Sequence, residues 1–211
     1  MRLLTLDALF RQPEQATFQV EFEHGEHVLV RPLMPPDVDA LAAFLAGLSS
    51  TTRRFSTFAS YDRAMAQELC DAINRYDKLR LVVELPRDQA MIGLLEFSFD
   101  IPDGDVRRYA LHGVPLDARH DCRFGPTLAD AYQNQGLGSR LFPAVLDVAR
   151  RFGKQRIVLW GGVLADNRRA MRFYEKQNFE AVGIFEGRDG QLSIDMILDF
   201  GDRSNPSRAT S

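Results

Sequence analysis

Apolar positions recur at two spacings along this chain, and the switches between them divide it into elements. Residues 17–22 and 27–33 alternate apolar and polar positions around His24-Gly25, the period-two pattern of a hairpin. Pro35-Pro36 ends that pattern. Val38, Leu41, Ala42, Leu45 and Leu48 then recur every three or four residues, which predicts a first helix with Pro36 in its opening turn and Asp37 at the positive end of its dipole. A Ser/Thr-rich connector, residues 49–60, leads to Asp62, the expected N-cap of a second helix whose core stripe is Met65, Leu69, Ile73 and Tyr76. Two β-rich runs, 79–85 and 90–99, flank a Pro-Arg-Asp-Gln turn and are expected to pair antiparallel. Strict alternation places Met91, Gly93, Leu95, Phe97 and Phe99 on one face of the second run. The other face begins apolar at Ile92 and Leu94 and ends polar at Glu96, Ser98 and Asp100. Contact with solvent is the expectation for that polar end, and the border of a cavity is the alternative.

Residues 101–121 follow neither period and read as an insertion holding a strand near 109–114. The pattern then resumes with a strand at about 124–131, a loop at 132–136 and a long helix to Phe152, buried through Leu137, Leu141, Val145, Val148 and Phe152. The apolar run 156–160 reads as a central parallel strand, so these pieces form a βαβ unit. A fourth helix, capped by Asp166 or Asn167, runs to Gln177, and a hairpin of 181–185 and 192–198 closes the chain.

With 211 residues, 45% of them apolar, the chain suits one core. The expected division is an N-terminal arm (1–15), one domain (16–200) and a flexible tail (201–211) rich in Ser, Arg and Asn. A net charge of −3 provides no positive field for nucleic acid or anionic lipid, so neither is expected as a partner. The N-terminal segment, interrupted by Arg2, Asp7 and Arg11, does not read as a signal peptide, and no membrane-spanning run of about 18 apolar residues occurs. A soluble cytoplasmic protein is the expectation. Cys70 and Cys122, the two cysteines, are too few and too widely spaced for a disulfide framework or a zinc site, and no metal is expected.

The candidate chemistry lies in the loop Gln133-Asn134-Gln135-Gly136-Leu137-Gly138, where a strand hands over to a helix. Small residues there let an anion approach exposed backbone N–H groups at the positive end of the helix dipole. Glycines that merely let helix and strand pack closely are the alternative. A Walker A loop is excluded, because no Gly-Lys-Ser/Thr string is present. A dinucleotide fingerprint fails as well, since Leu141 stands where a third small residue is needed and no acid follows the next strand.

This loop resembles the signature of the GNAT superfamily of acyl-CoA-dependent N-acetyltransferases: Gln or Arg, two residues, Gly, one residue, then Gly or Ala. A second block follows at the expected distance, with the apolar strand 157–160, then Asn167, Ala170, Phe173-Tyr174-Glu175-Lys176 and Asn178-Phe179. The resemblance spans roughly 31–198 and is strongest over 127–183; Arg31, the first two helices and the connector look like the variable substrate-facing region. Three departures stand out. Asn178 replaces the usual Gly but tolerates a left-handed cap, Pro143 within the long helix predicts a local kink, and the 101–121 insertion is long.

The resemblance implies an α/β (α+β) fold: one GNAT-like domain whose mixed, largely antiparallel sheet carries a central βαβ unit flanked by helices. It implies acetyl-CoA as cosubstrate, with pantetheine paired along Thr127, Leu128, Ala129 and Asp130. Its pyrophosphate would lie on Gln133, Asn134, Gln135, Gly136, Leu137, Gly138 and Ser139, and the N–H near Leu128 would polarise the thioester carbonyl. Tyr174 matches the tyrosine that protonates the departing thiolate, though a tyrosine on an amphipathic helix also serves as core. Asn167 would bind pantetheine, or it simply caps its helix. Asp121 and Glu96 are the candidate bases for the acceptor amine, with His112 and His120 behind them. Arg168, Arg169, Arg172 and Lys176 form a basic group suited to the CoA 3′-phosphate, or else a solvated helix face. Cys122 has no histidine spaced for nucleophilic work and reads as a small apolar residue. The expected activity is acetyl transfer to a primary amine of an unidentified acceptor, a small molecule in preference to a protein lysine or N-terminus; the rival is an acyl-CoA sensor with little catalysis. A homodimer is left open.

Overall fold

A computed structural model describes residues 3–22, 26–72, 77–187 and 190–201. Nine strands form one sheet: β1 (Phe18–Glu21), β2 (His27–Pro32), β3 (Lys78–Leu85), β4 (Ala90–Ser98), β5 (Asp121–Leu128), β6 (Arg156–Leu159), β7 (Val163–Leu164), β8 (Glu180–Glu186) and β9 (Leu192–Asp199). Each neighbouring pair is antiparallel except β5 with β6, which are parallel. The helices are α1 (Leu6–Arg11), α2 (Val38–Gly47), α3 (Ser50–Arg54), α4 (Arg63–Asp71), α5 (Asp103–Leu111), α6 (Leu137–Arg151) and α7 (Arg168–Lys176). The mixed, largely antiparallel sheet with a β5–α6–β6 unit is the architecture the sequence implied.

Alternation along the strands sorts the core onto two faces. Leu81 and Val83 join Leu141, Val145 and Val148 of α6 and Leu9 of α1 on one face. Val82 and Leu94 join Leu41 and Leu45 of α2 and Leu69 of α4 on the other. The expected helix starts are observed: Asp62 Oδ1 accepts from Met65 N–H (2.9 Å), and Asn167 Oδ1 from Ala170 N–H (3.1 Å). Pro143 lies inside α6 without dividing it. Asn178 takes the left-handed φ of 64° expected where glycine is usual. The His24-Gly25 turn, Ile73, Tyr76 and the tail beyond 201 lie outside the described residues.

Several expectations need correction. Ile92 is an extra residue in β4, because Val83 pairs with Gly93 while Glu84 pairs with Met91. This bulge inverts the alternation, placing Ile92 with Leu95 and Phe97 on the α6 face and Met91 with Leu94 on the α2 face. The polar end of β4 is buried at Glu96 (6% exposed) and Ser98 (0%), while Asp100, just beyond the strand, is exposed as expected. The 101–121 segment carries helix α5 instead of a strand, with Tyr109 fully buried and its hydroxyl donating to Met196 O (2.9 Å). Arg31, expected in the substrate-facing region, is tied to Asp37 (2.7 Å) and Glu84 (2.7 Å). β5 begins and ends three residues earlier than expected, which moves Ala129 and Asp130 beyond its end.

Candidate active site

The site follows from where β5 and β6 part. Their pairing runs from Asp121 with Arg156 to Phe124 with Leu159 and then stops. Trp160 N–H donates to Phe124 O (2.9 Å), after which Gly161 and Gly162, at φ of 75° and 71°, turn the chain away into β7. Residues 125–128 of β5 stay paired to β4 alone. Since Phe124 O points toward β6 and Ala129 N–H bonds Ile92 O (2.8 Å) on the β4 side, alternation turns Pro126 and Leu128 toward the open edge. Pro126 has no N–H. Leu128 therefore supplies the N–H that the end of β5 directs into the gap.

A cleft of about 650 Å³ fills that gap. At one end lies the start of α6. Its N-cap, Gly136, has φ of 81° and offers no side-chain acceptor, so the N–H groups of Leu137, Gly138 and Ser139 lack intrahelical partners by helix geometry. A β-carbon on Gly136 would meet nothing within 4 Å, so the approach to these amides is open. Gly138 differs: a β-carbon there would stand 3.1 Å from the Phe173 ring, so this glycine permits close packing of α7. Close packing against α7 thus accounts for Gly138, while Gly136 leaves the amides unobstructed. Arg169, Arg172 and Lys176 of α7 also line the cleft, while Arg168 does not.

Of the residues expected to hold the donor, Thr127, Leu128, Gln133, Asn134, Gly136, Leu137, Gly138, Ser139, Asn167 and Tyr174 line the cleft. Ala129, Asp130 and Gln135 do not. Ala129 N–H is taken by Ile92 O, and Gln135 Nε2 donates to Ala131 O (2.6 Å). Asp130 instead accepts from Ser49 N–H (2.9 Å), Ser49 Oγ (2.5 Å) and Thr52 Oγ1 (2.7 Å). These bonds hold its carboxyl below the usual carboxylate range against the opposing effect of partial burial. Gln133 Nε2 donates to both Thr52 Oγ1 (3.1 Å) and Leu128 O (2.7 Å), which ties the connector to the end of β5.

Tyr174 is buried between Phe173 and Phe179, each ring centroid 5.1 Å away. Burial pushes its phenol well above the ordinary tyrosine pKa, so it stays protonated. Glu96 borders the cleft from β4 opposite Gly125. Burial raises its pKa, although Arg80 Nε at 2.9 Å opposes the shift.

Asp121 is not in the cleft. It lies at the other end of β5, fully buried, where it accepts from Arg156 Nε (2.6 Å), Arg156 Nη2 (2.7 Å) and Asp117 N–H (2.5 Å). His120 stands beside it on Asp117 (2.7 Å), and His112 packs against Gly183 at the end of α5. None of the three lines the cleft. Both thiols are buried and free; burial pushes Cys70 to about 11 and Cys122 to about 12. Neither fits a thiolate nucleophile.

The structure adds cleft residues that sequence reasoning missed. Arg54 and Phe55 enter from the connector, Trp160 from the end of β6 and Phe185 from β8. Arg54 Nη2 donates to Asp166 Oδ2 (2.6 Å) and Gln191 Oε1 (2.7 Å), bridging the connector to the loop before α7 and the final hairpin. The one available signal was the strand-ending Trp160-Gly161-Gly162; Arg54 and Phe185 carry no local mark.

A strand pair that splays beside an uncapped, glycine-led helix defines a class of acyl-CoA-binding fold, and comparison with known proteins places the chain within it. The acetyltransferase (GNAT) family pattern matches residues 48–179, and the chain belongs to that family. A Pseudomonas aeruginosa protein named an acetyltransferase is 29% identical over 62% of this chain and 64% of its own length, so the match spans under two thirds of that relative. The GNAT domain of S. lividans PAT superposes with a TM-score of 0.66 at 21% identity, covering 89% of this chain and 98% of that one. An aminoglycoside acetyltransferase solved with coenzyme A and kanamycin superposes at 0.63 and 21% identity, covering 82% and 94%. At these identities the structural matches establish the fold. Among the described residues, no helix is long and apolar enough to cross a membrane.

Proposed function

We propose that this protein transfers the acetyl group of acetyl-CoA directly to a primary amine. The observation that carries the reading is the lone Leu128 N–H at the unpaired edge of β5, facing a cleft that continues to the open amides of α6. Relatives are solved with coenzyme A bound, and the residues present here fit such a donor. The amides of Leu137, Gly138 and Ser139 suit the diphosphate, and Arg169, Arg172 and Lys176 supply positive charge for its phosphates. Asn167 and the edge of Thr127 and Leu128 suit the pantetheine amides. Bound acetyl-CoA supplies the activated acyl group.

The chain's own groups then have distinct tasks. Leu128 N–H donates to the thioester carbonyl oxygen, where negative charge grows as the amine nitrogen attacks; a fixed donor of this kind contributes about 3 kcal/mol in comparable sites. Glu96, through a water, takes the amine proton, its raised pKa bringing it closer to neutral pH than an ordinary glutamate. As the carbon–sulfur bond breaks, Tyr174 passes its phenolic proton to the sulfur. These steps form an amide and a free thiol.

Two measurements test the proposal. Calorimetry with coenzyme A on the folded chain is expected to show saturable heat. Incubation with acetyl-CoA and a metabolite or peptide extract is expected to release thiol and add an acetyl mass to some amine. Absence of saturation would refute the reading, and tight acyl-CoA binding with no acetylated product in any extract would favour a sensor instead.

A further inference from the structure

The cleft beyond the donor loop has a composition that bears on the acceptor, and this inference rests on the transferase reading above. Three aromatic side chains from separate elements line it: Phe55, Trp160 and Phe185. Trp160 adjoins the end of β5, and Phe185 the turn that follows β6. A β-carbon on Gly125, which pairs with Glu96, would lie 3.6 Å from Trp160 Cβ, and one on Gly162 would lie 2.9 Å from the Phe185 ring. Arg54, also a lining residue, bridges the connector to Asp166 and Gln191.

Each aromatic ring already carries a cation. Arg54 lies 5.2 Å from the Phe55 centroid, Arg123 4.7 Å from that of Trp160, and Arg108 4.0 Å from that of Phe185. With an arginine already stacked on each, the three rings offer the cleft flat apolar walls. Among the described lining residues Glu96 is the one carboxylate, and with Arg169, Arg172 and Lys176 assigned to the donor phosphates, Arg54 is the cation left on the acceptor side. Arg80 at 2.9 Å balances even that charge. An acceptor bearing several ammonium groups would lose their hydration and find no second carboxylate among the described lining residues in return.

We infer that the acceptor is a primary amine attached to one flat apolar body and lacking any second cationic centre. The amine points toward Glu96 and Leu128, and the body lies along Trp160 and Phe185. Polyamines and aminoglycosides are disfavoured by charge. An extended peptide is disfavoured by the Arg54 bridge, which spans the connector and the final hairpin.

The test is thiol release by the full chain with acetyl-CoA and a defined amine panel. 2-Phenylethylamine and tryptamine are expected to exceed spermidine and kanamycin at least about 100-fold in kcat/KM, propylamine about tenfold, and a peptide with a free N-terminus about 100-fold. Trp160→Ala and Phe185→Ala are each expected to reduce the ratio of phenylethylamine to propylamine at least about fivefold, with melting curves reporting that the variants fold. Comparable or better turnover of the polycations, propylamine or the peptide, in a chain that binds coenzyme A, overturns this inference while leaving the transferase reading intact. Saturable coenzyme A binding without turnover of any panel amine overturns it too. Absence of coenzyme A binding removes both.

Discussion

Replacing Tyr174 by Phe removes one oxygen and leaves the packing in place, because the ring is held by Phe173 and Phe179 at 5.1 Å each. Burial alone raises the phenol pKa, with no hydrogen bond contributing to the shift. Folding therefore loses little when the hydroxyl goes, and stability is expected to stay within about 1 kcal/mol of the parent. The catalytic cost is of a different size. A positioned acid is worth roughly 100- to 10,000-fold, so kcat is expected to fall by that factor, or about 3–5 kcal/mol in the barrier. The coenzyme A Kd, which depends on the α6 amides and the basic residues of α7, is expected to stay within about twofold. The assay pairs calorimetric binding with thiol release on the same preparation. The raised pKa also fixes a sign: the phenol keeps its proton through neutral and alkaline pH, so loss of the acid cannot produce a falling rate below about pH 10. An equal loss of affinity and turnover, or an unchanged turnover, would refute the acid role.

Glu96→Gln is expected to lower kcat about 100-fold or more and to abolish the acidic limb of the rate profile. In the parent that limb should lie above the ordinary glutamate value, because burial raises the Glu96 pKa and the base works only above it; an unchanged profile would remove Glu96 from the mechanism. Asp121→Asn is expected to destabilise by about 3 kcal/mol, since it weakens a buried pair with Arg156, while kcat and coenzyme A affinity of the folded chain stay unchanged. Denaturant melts beside kinetics separate the two effects, and a kcat loss without destabilisation would restore Asp121 as a catalytic base. Asn178→Gly, at φ of 64°, is expected to stabilise by up to about 1 kcal/mol and raise Tm by roughly 2–4 °C, as a thermal melt would report. A lower Tm would show that the Asn178 side chain has a structural role of its own.

The periods of apolar residues located most elements, and the exceptions have definite causes. One inserted residue, Ile92, inverts the faces of β4 without altering composition, so regular alternation misassigned Met91 and Gly93. Helix α5 shows few helical signals because its buried positions include Asp105, paired with Arg108 (2.9 Å), while Leu111 faces outward at 84% exposure. The Gly136 turn was legible because a helix N-cap at φ of 81° is set by local backbone geometry, whereas Gln133 and Gly138 act through Thr52 and Phe173, which no local pattern reveals. Asp121 could not be placed away from the cleft from sequence, because a carboxylate at the start of a strand carries no sign of the partner that will bury it. Its partner Arg156 lies 35 residues away, and only the parallel register of β5 and β6 brings them together. The acceptor walls were hidden for the same reason, since Phe55, Trp160 and Phe185 become neighbours only through the sheet and the Arg54 bridge.

The two halves of the cleft are shaped by one backbone event. At Phe124 the pairing of β5 with β6 ends, and Pro126 ensures that the next residue facing the open edge has no N–H to offer. Gly161 and Gly162 take left-handed φ angles that swing the chain into β7, where it pairs with β9 at Val163 and Leu164. The separation leaves Leu128 N–H unpaired on the donor side and, in the same step, sets Trp160 at the divergence, with Gly162 beneath the Phe185 ring. A side chain at Gly162 would press on that ring at 2.9 Å and on Ile194 O at 2.9 Å while straining the positive φ. Such a change would disturb acceptor walls and strand separation together. On the proposed mechanism, donor activation and acceptor shape are thus coupled through the β6–β7 break, although the residues assigned to coenzyme A come from a local motif and those assigned to the amine are assembled only by the fold.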